Sequence, residues 1–111
     1  MDAAHRAGAG QIELHTGPYC NARGAAALRE EYLRLRGAAA QARSAGLVVN
    51  AGHGLNYHNV RPVAAIEAMR ELNIGHAIIS RAVFSGLAVA VAEMAALIDA
   101  ATRHPDAYRL D

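Results

Sequence analysis

The sequence contains no lysine and no tryptophan, a single phenylalanine, and a single cysteine, Cys20. One cysteine excludes an internal disulfide and fits a reducing compartment. All eleven basic residues are arginines, and they are interspersed with aspartate and glutamate to give a formal net charge of +1. Because no basic patch stands out, we predict no interaction with nucleic acid.

Long apolar runs are also absent. The first ten residues, MDAAHRAGAG, are small and polar and lack the apolar core of a signal peptide. The longest uncharged apolar stretch, residues 82–92, contains Ser85 and Gly86 and is shorter than the roughly 20 residues that span a bilayer. We therefore predict a soluble, cytoplasmic protein with no membrane partner.

Three short segments have the character of β-strands. Residues 11–15 (QIELH) alternate polar and apolar side chains. Residues 47–51 (LVVNA) begin as a continuous apolar run, which is typical of a parallel strand buried on both faces. Residues 71–74 (ELNI) are predicted as a third strand, which ends at Gly75.

Apolar residues at helical spacing surround these strands. We predict helices at residues 3–9, ended by Gly10; at residues 24–45; from the cap Asn59 through Pro62 to about Met69; and from His76 to about Thr102 with a break at Ser85–Gly86. Thr16, Gly17 and Pro18 are interpreted as a breaker. This order predicts an α/β fold with a parallel sheet, in which ligands meet the carboxyl ends of the strands.

His53 follows the second strand and stands between Gly52 and Gly54. Glycines on both sides let backbone amides approach a ligand closely, and an imidazole exchanges a proton near neutral pH. The pattern is equally compatible with a surface or capping histidine. His53 is therefore a candidate acid–base residue, with a structural role as the alternative.

Glu13 lies within the first strand, flanked by Ile12 and Leu14. The alternation places its carboxylate on the face opposite these two apolar side chains, where a ligand would lie. A buried carboxylate has to be paired or solvated, so a glutamate that is hydrogen-bonded in the floor of the sheet is an equal alternative.

Gly75 and His76 open the last helix directly after the third strand. The free amides and the positive end of the helix dipole at such a position form an anion site, and barrels commonly bind phosphate at this corner. Alternatively, the glycine serves only the turn into the helix.

His15, His53 and His58 raise the question of a metal site, because neutral imidazoles are common ligands. No HxH or HExxH spacing occurs, and Cys20 has no partner cysteine. We predict no metal ligands, and a metal-dependent aldolase on a TIM barrel stays as a minor alternative.

Taken together, the loops resemble one family. The segments IELHTGPY (12–19), VNAGHGLNYHNV (49–60) and ELNIGHAIISRAV (71–83) closely resemble the carboxyl-terminal half of pyridoxine 5'-phosphate synthase, a (β/α)8 TIM barrel enzyme of vitamin B6 synthesis. The similarity extends from about Ala3 to Ala101. It implies that residues 1–111 form one partial-barrel domain, whose strands are the sixth, seventh and eighth of the barrel.

The resemblance also implies a reaction and its residues. The family condenses 1-deoxy-D-xylulose 5-phosphate with 3-amino-2-oxopropyl phosphate, without a metal or an organic cofactor. By this resemblance, His53 is the proton-donating acid of the late steps, and Glu13 stabilises charge in a transition state. Gly54, Gly75 and His76 would hold the phosphate of the amino-ketone.

The resemblance further implies that part of the active site is missing. The amino-terminal half of the family supplies a catalytic glutamate base, a further catalytic histidine and the residues that grip the deoxyxylulose phosphate. We expect a truncated reading frame that is inactive alone; a split-barrel piece, a self-associating half-barrel and a non-catalytic phosphate-binding module are the alternatives. The full-length family is expected to be a homo-oligomer.

Overall fold

The computed structural model describes residues 2–111. In chain order its elements are α1 (Asp2–Arg6), β1 (Gln11–His15), α2 (Gly17–Asn21), α3 (Ala25–Ser44), β2 (Val48–Gly52), α4 (Val60–Ala64), β3 (Met69–Asn73), α5 (His76–Ser85), α6 (Leu87–Arg103) and a short 3₁₀ turn (Pro105–Ala107).

The three strands form one parallel sheet with the order β1-β2-β3. Strands β1 and β2 pair without interruption from Gln11 beside Val48 to His15 beside Gly52. The β2–β3 ladder has one irregularity, where the register shifts between Val49 and Asn50. The predicted α/β fold with a parallel sheet is confirmed, and an open sheet of this kind with covering helices is consistent with part of a TIM barrel.

One face of the sheet carries the core. The apolar side chains of Ile12, Leu14, Val49 and Ala51 pack there against the long helix α3 and the loop before α4. The buried members of this cluster are Tyr19, Tyr32, Leu35, Ala39, Ala42, Leu47, Val49, Ala51, Leu55, Val63 and Ile66. A second buried cluster, in which Met94 of α6 packs against Tyr57 and Val60, joins α6 to α4.

The other face of the sheet, called here the open face, is mainly polar. The strand register places Gln11, Glu13 and Asn50 on this face, with Gln11 accepting a 2.9 Å hydrogen bond from the Asn50 amide. Val48 is also on this face and is 39% exposed. The prediction that this strand is buried on both faces is therefore wrong at Val48.

Several element ends differ from the predicted ones. Helix α1 ends at Arg6 rather than at about residue 9, because Gly8 adopts a left-handed φ of 90° and the amide of Ala9 bonds back to the carbonyl of Ala4. Strand β2 begins at Val48, since the amide of Leu47 bonds to the end of α3 instead of to a neighbouring strand.

The helix predicted to run to about Met69 is shorter. Helix α4 ends at Ala64, and two further turns, ending with Ala68 at a left-handed φ of 82°, lead directly into β3, which begins at Met69. Asn59 occupies the predicted cap position, but its side chain makes no cap hydrogen bond.

The segment interpreted as a breaker contains a helix. Helix α2 begins at Gly17, and Pro18 lies in its first turn, where its missing N–H is not needed. The predicted helix α3 and the predicted break between α5 and α6 are confirmed, the latter at Gly86 with a left-handed φ of 88°. Within residues 2–111, no helix has the length and apolar character needed to cross a membrane.

Candidate active site

The carboxyl ends of the three strands meet at one edge of the sheet. In the strand register His15 lies beside Gly52, and Gly52 lies beside Asn73. The loops that follow these residues therefore start next to one another, as the sequence predicts. Every candidate residue lies on one of these strands or on the loop or helix start that follows it.

Glu13 is exposed on the open face, opposite Ile12 and Leu14, as the alternation predicts. Its carboxylate oxygen Oε1 accepts a 2.8 Å hydrogen bond from the side-chain amide of Asn73. The carboxylate therefore reaches across β2, from the first strand to the third.

Gly52 makes this crossing possible. A Cβ atom at position 52 would lie 2.5 Å from Oε1 of Glu13 and 2.9 Å from the carbonyl oxygen of Asn73, far below any ordinary contact distance. The close approach explains in steric terms why the strand before His53 ends in glycine.

His53 adopts a left-handed backbone conformation with φ 94°, which is uncommon for a residue with a side chain. Its ring is solvent-exposed and lies 4.6 Å from the ring of His15, with 35° between the planes. Gly17 leaves room for this pair, because a Cβ there would be 2.5 Å from Nε2 of His15 and 3.1 Å from Cδ2 of His53. Strained residues of this kind cluster at functional sites.

Side chains from two other segments bind the carbonyl groups of this turn. The hydroxyl of Thr16 donates a 2.6 Å hydrogen bond to the carbonyl of His53, and the thiol of Cys20 donates a longer one of 3.5 Å to the same oxygen. The amide of Asn59 donates at 3.4 Å to the carbonyl of Gly54. The turn is thus held from outside its own strand.

Burial affects the two titratable side chains beneath the turn. It raises the pKa of the Cys20 thiol, an effect that hydrogen bonds with Thr16 and Asn59 partly oppose. Burial, together with the neighbouring Cys20 and Tyr32, raises the pKa of the Tyr19 phenol well above its ordinary value. Both groups therefore stay protonated at neutral pH, and the Tyr19 hydroxyl donates at 2.8 Å to the carbonyl of Asn59.

Gly54 also has a left-handed φ, of 83°. A Cβ at this position would lie 3.0 Å from Cβ of Cys20 and 3.2 Å from its sulfur. The glycine predicted to approach a ligand therefore also serves a close packing contact between the loop and α2.

Two asparagines shape the rest of this loop. The side chain of Asn56 accepts hydrogen bonds from the amides of His58 and Asn59, and the side chain of Asn59 accepts one of 2.7 Å from the amide of Asn56. This reciprocal arrangement ends the loop at the start of α4. The backbone amide of His58 belongs to this hydrogen-bonded arrangement, whereas the side chain of His58 is exposed.

Gly75 and His76 stand at the start of α5, at the same edge of the sheet. Both are exposed, and no side chain caps the first turn of this helix, so its amides point outward without an intrahelical acceptor. Gly75 has an ordinary φ of −124°, and nothing lies within 4 Å of the position of a Cβ. Packing within the described residues therefore does not require glycine here.

The histidines do not form a metal-binding group. His15 and His53 are adjacent, but across residues 2–111 the structure has no cluster of three or more histidine, cysteine, aspartate or glutamate side chains that could hold a metal ion. The aldolase alternative, with His15, His53 and His58 as ligands, gains no support from this geometry.

A cleft of about 800 Å³ lies elsewhere, between α3, the turns after α4 and the carboxyl-terminal tail, where Tyr32, Ile66, Met69 and Arg109 line it. It includes none of the candidate residues. We place the site at the strand ends, because the strained turn, the paired imidazoles and the bridged carboxylate all lie there.

Sequence reasoning missed four residues of this site. The sequence predicts Thr16 as part of a breaker and Asn59 as a helix cap. It points to Cys20 only as a disulfide or metal residue, and no local pattern distinguishes Asn73. The one signal that was present is the pair of asparagines at positions 56 and 59, a spacing that favours reciprocal side-chain to backbone bonds.

Comparison with known proteins shows the family of the chain. Residues 1–100 match the family model described as pyridoxal phosphate biosynthesis protein PdxJ. The pyridoxine 5'-phosphate synthase of Rhodopirellula baltica is 54% identical over 102 residues, which is 92% of this chain and 41% of that relative. The chain thus spans less than half the length of this curated relative. Since the match covers nearly all of its residues, the chain belongs to the PdxJ family of pyridoxal phosphate biosynthesis proteins.

Proposed function

We propose that the chain is the carboxyl-terminal part of a pyridoxine 5'-phosphate synthase, and that it forms one partial-barrel domain containing the last three strands. The complete barrel would condense 1-deoxy-D-xylulose 5-phosphate with 3-amino-2-oxopropyl phosphate in vitamin B6 synthesis. The identity with the R. baltica synthase supports this reaction. We place the reaction in the cytoplasm, in a homo-oligomer of complete barrels.

The observation that carries the proposal is the meeting of an acid–base group and a carboxylate at one sheet edge. Glu13 lies on β1 and His53 directly follows the neighbouring strand β2, on either side of Gly52, whose missing side chain lets the carboxylate lie across the middle strand. Ligands of parallel α/β folds bind at this edge, and TIM barrel enzymes place their catalytic groups there.

His53 is proposed as the proton donor of the late steps. An imidazole changes its charge close to neutral pH, and this one is exposed and held in a fixed backbone conformation. Glu13 is proposed to stabilise positive charge that develops on the substrate, because its carboxylate is oriented by Asn73 and remains accessible from the open face.

Gly54, Gly75 and His76 are proposed to hold the phosphate of the amino-ketone. Outward amides at the start of α5 and the helix dipole favour an anion. The free space around Gly75 supports this role, since glycine there is not explained by packing among residues 2–111. His76 is the exposed first residue of this helix and is proposed to contribute its imidazole to the same phosphate site.

The open face is where the remaining part of the barrel would lie. It exposes Glu13 and Val48 to solvent, and the buried oxygen Oδ1 of Asn50 has no hydrogen-bond partner among the described residues. A buried acceptor without a partner is unfavourable, so a donor from another segment is expected to satisfy it. The catalytic glutamate base, the second histidine and the site of the sugar phosphate would come from that segment.

A full-length chimera tests the proposal. The part of the R. baltica synthase outside the matched region is joined to this chain, and pyridoxine 5'-phosphate formation is measured. We expect the chimera to be active and the 111-residue chain alone to be inactive. His53→Gln should lower the rate about 10²- to 10⁴-fold, while the control His58→Gln, from the same loop, should stay within about 2-fold of the parent.

Three results would contradict the proposal. Full activity of the isolated chain would show that no other half is needed, and an unaffected His53→Gln chimera would remove the proposed acid. Binding of 3-amino-2-oxopropyl phosphate without any turnover by the chimera would favour the non-catalytic module. Tightly bound zinc in elemental analysis would favour the metal-dependent alternative.

A further inference from the structure

Thr16 contacts the turn at His53 through both its backbone and its side chain. Its amide donates a 2.9 Å hydrogen bond to the carbonyl of Gly52, and its hydroxyl donates the 2.6 Å bond to the carbonyl of His53. Consecutive carbonyl groups of the turn are therefore bound by one residue from the neighbouring strand end. The hydroxyl bond is among the shortest side-chain bonds described, close to the optimum for O–H donors.

Threonine suits this position because its side chain is fully buried and stiff. Thr16 is 0% exposed, which makes it one of the few buried polar residues. Branching at Cβ restricts its first side-chain torsion, so the hydroxyl is held in place before any ligand binds. A buried hydroxyl needs a partner, and the carbonyl of His53 provides one.

The backbone of His53 needs such an external partner. A left-handed φ in a residue with a side chain persists only when surrounding structure determines it. Neighbouring glycines would let the turn relax into other conformations, and the weaker 3.5 Å bond from Cys20 is the only other side-chain donor described at this carbonyl. The orientation of the imidazole follows from this backbone conformation.

We infer that Thr16 is a positioning residue, whose buried hydroxyl fixes the left-handed conformation of His53 and thereby aims its imidazole beside His15. The structural part of this inference stands on the hydrogen bonds alone. Its consequence for catalysis rests on the proposed role of His53 as the proton donor.

Thr16→Val tests the inference, because valine keeps the branched shape and replaces the hydroxyl with a methyl group that cannot donate a hydrogen bond. In the chimera we expect kcat to fall about 10- to 100-fold, since a misplaced catalytic group costs that much, while KM changes less than about 2-fold. Thr16→Ser should restore kcat to within about 3-fold of the parent. A general structural defect would not be repaired by serine, which lacks the methyl group.

Thr102→Val is the matched control. Thr16 and Thr102 are the only threonines in the chain, and the Thr102 hydroxyl also donates to a backbone carbonyl, that of Asp99 at 2.9 Å, but within α6. The control should leave kcat and the conformation of His53 unchanged. A similar loss of kcat in both variants would overturn the inference.

The crystal structure of the Thr16→Val variant of the 111-residue chain gives a readout that needs no activity. We expect the φ of His53 to leave the left-handed region and its ring to move away from His15. An unchanged φ and ring position would overturn the inference, whatever the chimera does. An inactive parent chimera combined with a shifted His53 would refute the proposed reaction and retain the positioning role.

A second measurement covers the case in which Thr16→Val fails to fold. In the unsubstituted chain, the Thr16 hydroxyl proton should be visible by NMR, because a buried and bonded hydroxyl exchanges slowly with water. It should also show a nuclear Overhauser contact to His53. A hydroxyl proton in fast exchange would overturn the inference.

Discussion

Two parts of the candidate site differ in how they are held. At the His53 turn, side chains of Thr16, Cys20 and Asn59 converge on the backbone carbonyls. At the start of α5, Gly75 and His76 have no side-chain cap, and α5 has no buried residue. Side-chain hydrogen bonds from other segments fix the backbone of the first part, whereas no side chain caps the backbone of the second, although Ala77 and Ile78 of α5 pack against the cluster around Met94.

The difference matches what each part is proposed to do. Proton transfer requires a defined direction and distance, and a displacement of about 1 Å can cost about 100-fold in rate. Phosphate binding at a helix start uses backbone amides and the helix dipole, which exist wherever the helix does. We therefore expect substitutions at the His53 turn to have larger effects than equivalent substitutions at the α5 start.

Within the two parts of the site, the largest effect on the free energy of unfolding is expected when a methyl group is added to one glycine of each part. Gly52→Ala would place Cβ against Glu13 and the backbone of Asn73, and we expect it to lower the free energy of unfolding by about 1–3 kcal/mol. A Cβ at position 75 has no atom within 4 Å, so Gly75→Ala should lower the free energy of unfolding by less than about 1 kcal/mol. Urea denaturation of both variants measures the two free energies of unfolding. Equal losses in the two variants would contradict the expected difference between the two parts.

An intermediate effect on the free energy of unfolding is expected at alkaline pH, and it arises only at the His53 turn. Burial raises the pKa of Cys20 above its ordinary value of 9.0 and that of Tyr19 above 10.0. For a group whose folded pKa is raised, the stabilisation is complete below the unfolded pKa and is lost as the pH rises toward the folded one. The free energy of unfolding should therefore decline as the pH rises above about 9.

Two substitutions distinguish the contributions of the Cys20 thiol and the Tyr19 phenol to this decline. Cys20→Ala should delay the onset of the decline to about pH 10, and adding Tyr19→Phe should flatten the decline further. Tyr108→Phe, near the carboxyl terminus, is the control and should leave the curve unchanged. Denaturation midpoints between pH 7 and pH 11 give the measurement; a decline that persists in the double variant would assign it to other groups.

The sequence predicts the parts of the fold that depend on local periodicity. Strand β1 was predicted with its observed bounds, and the break at Gly86 was located because glycine between two apolar helical segments is a local signal. Helix α2 was missed because its five residues are too few for a period to show, and Pro18 was interpreted only as a breaker.

The sequence could not predict how the site is bonded. Asn73 and Glu13 are 60 positions apart, and their hydrogen bond depends on the strand register. The left-handed conformation of His53 has no local signal, because glycine adopts that conformation more easily and the sequence favours it at Gly54 rather than at His53. The roles of Thr16 and Cys20 follow from that conformation and were therefore missed as well.

The smallest effect on the free energy of unfolding is expected from a substitution on the exposed side of α5. Phe84 is 92% exposed there, and Val83 beside it is 77% exposed. Phe84→Ser removes little buried apolar area, so the free energy of unfolding should change by less than about 0.5 kcal/mol. Tyr32 provides the contrast, because it is 1% exposed in the core behind the sheet. As a reference for full burial, Tyr32→Ala should lower the free energy of unfolding by about 3–5 kcal/mol. A loss above about 1 kcal/mol for Phe84→Ser would show that this side of α5 is packed in solution, and would weaken the contrast between the exposed side of α5 and the His53 turn, whose backbone is bonded by other segments.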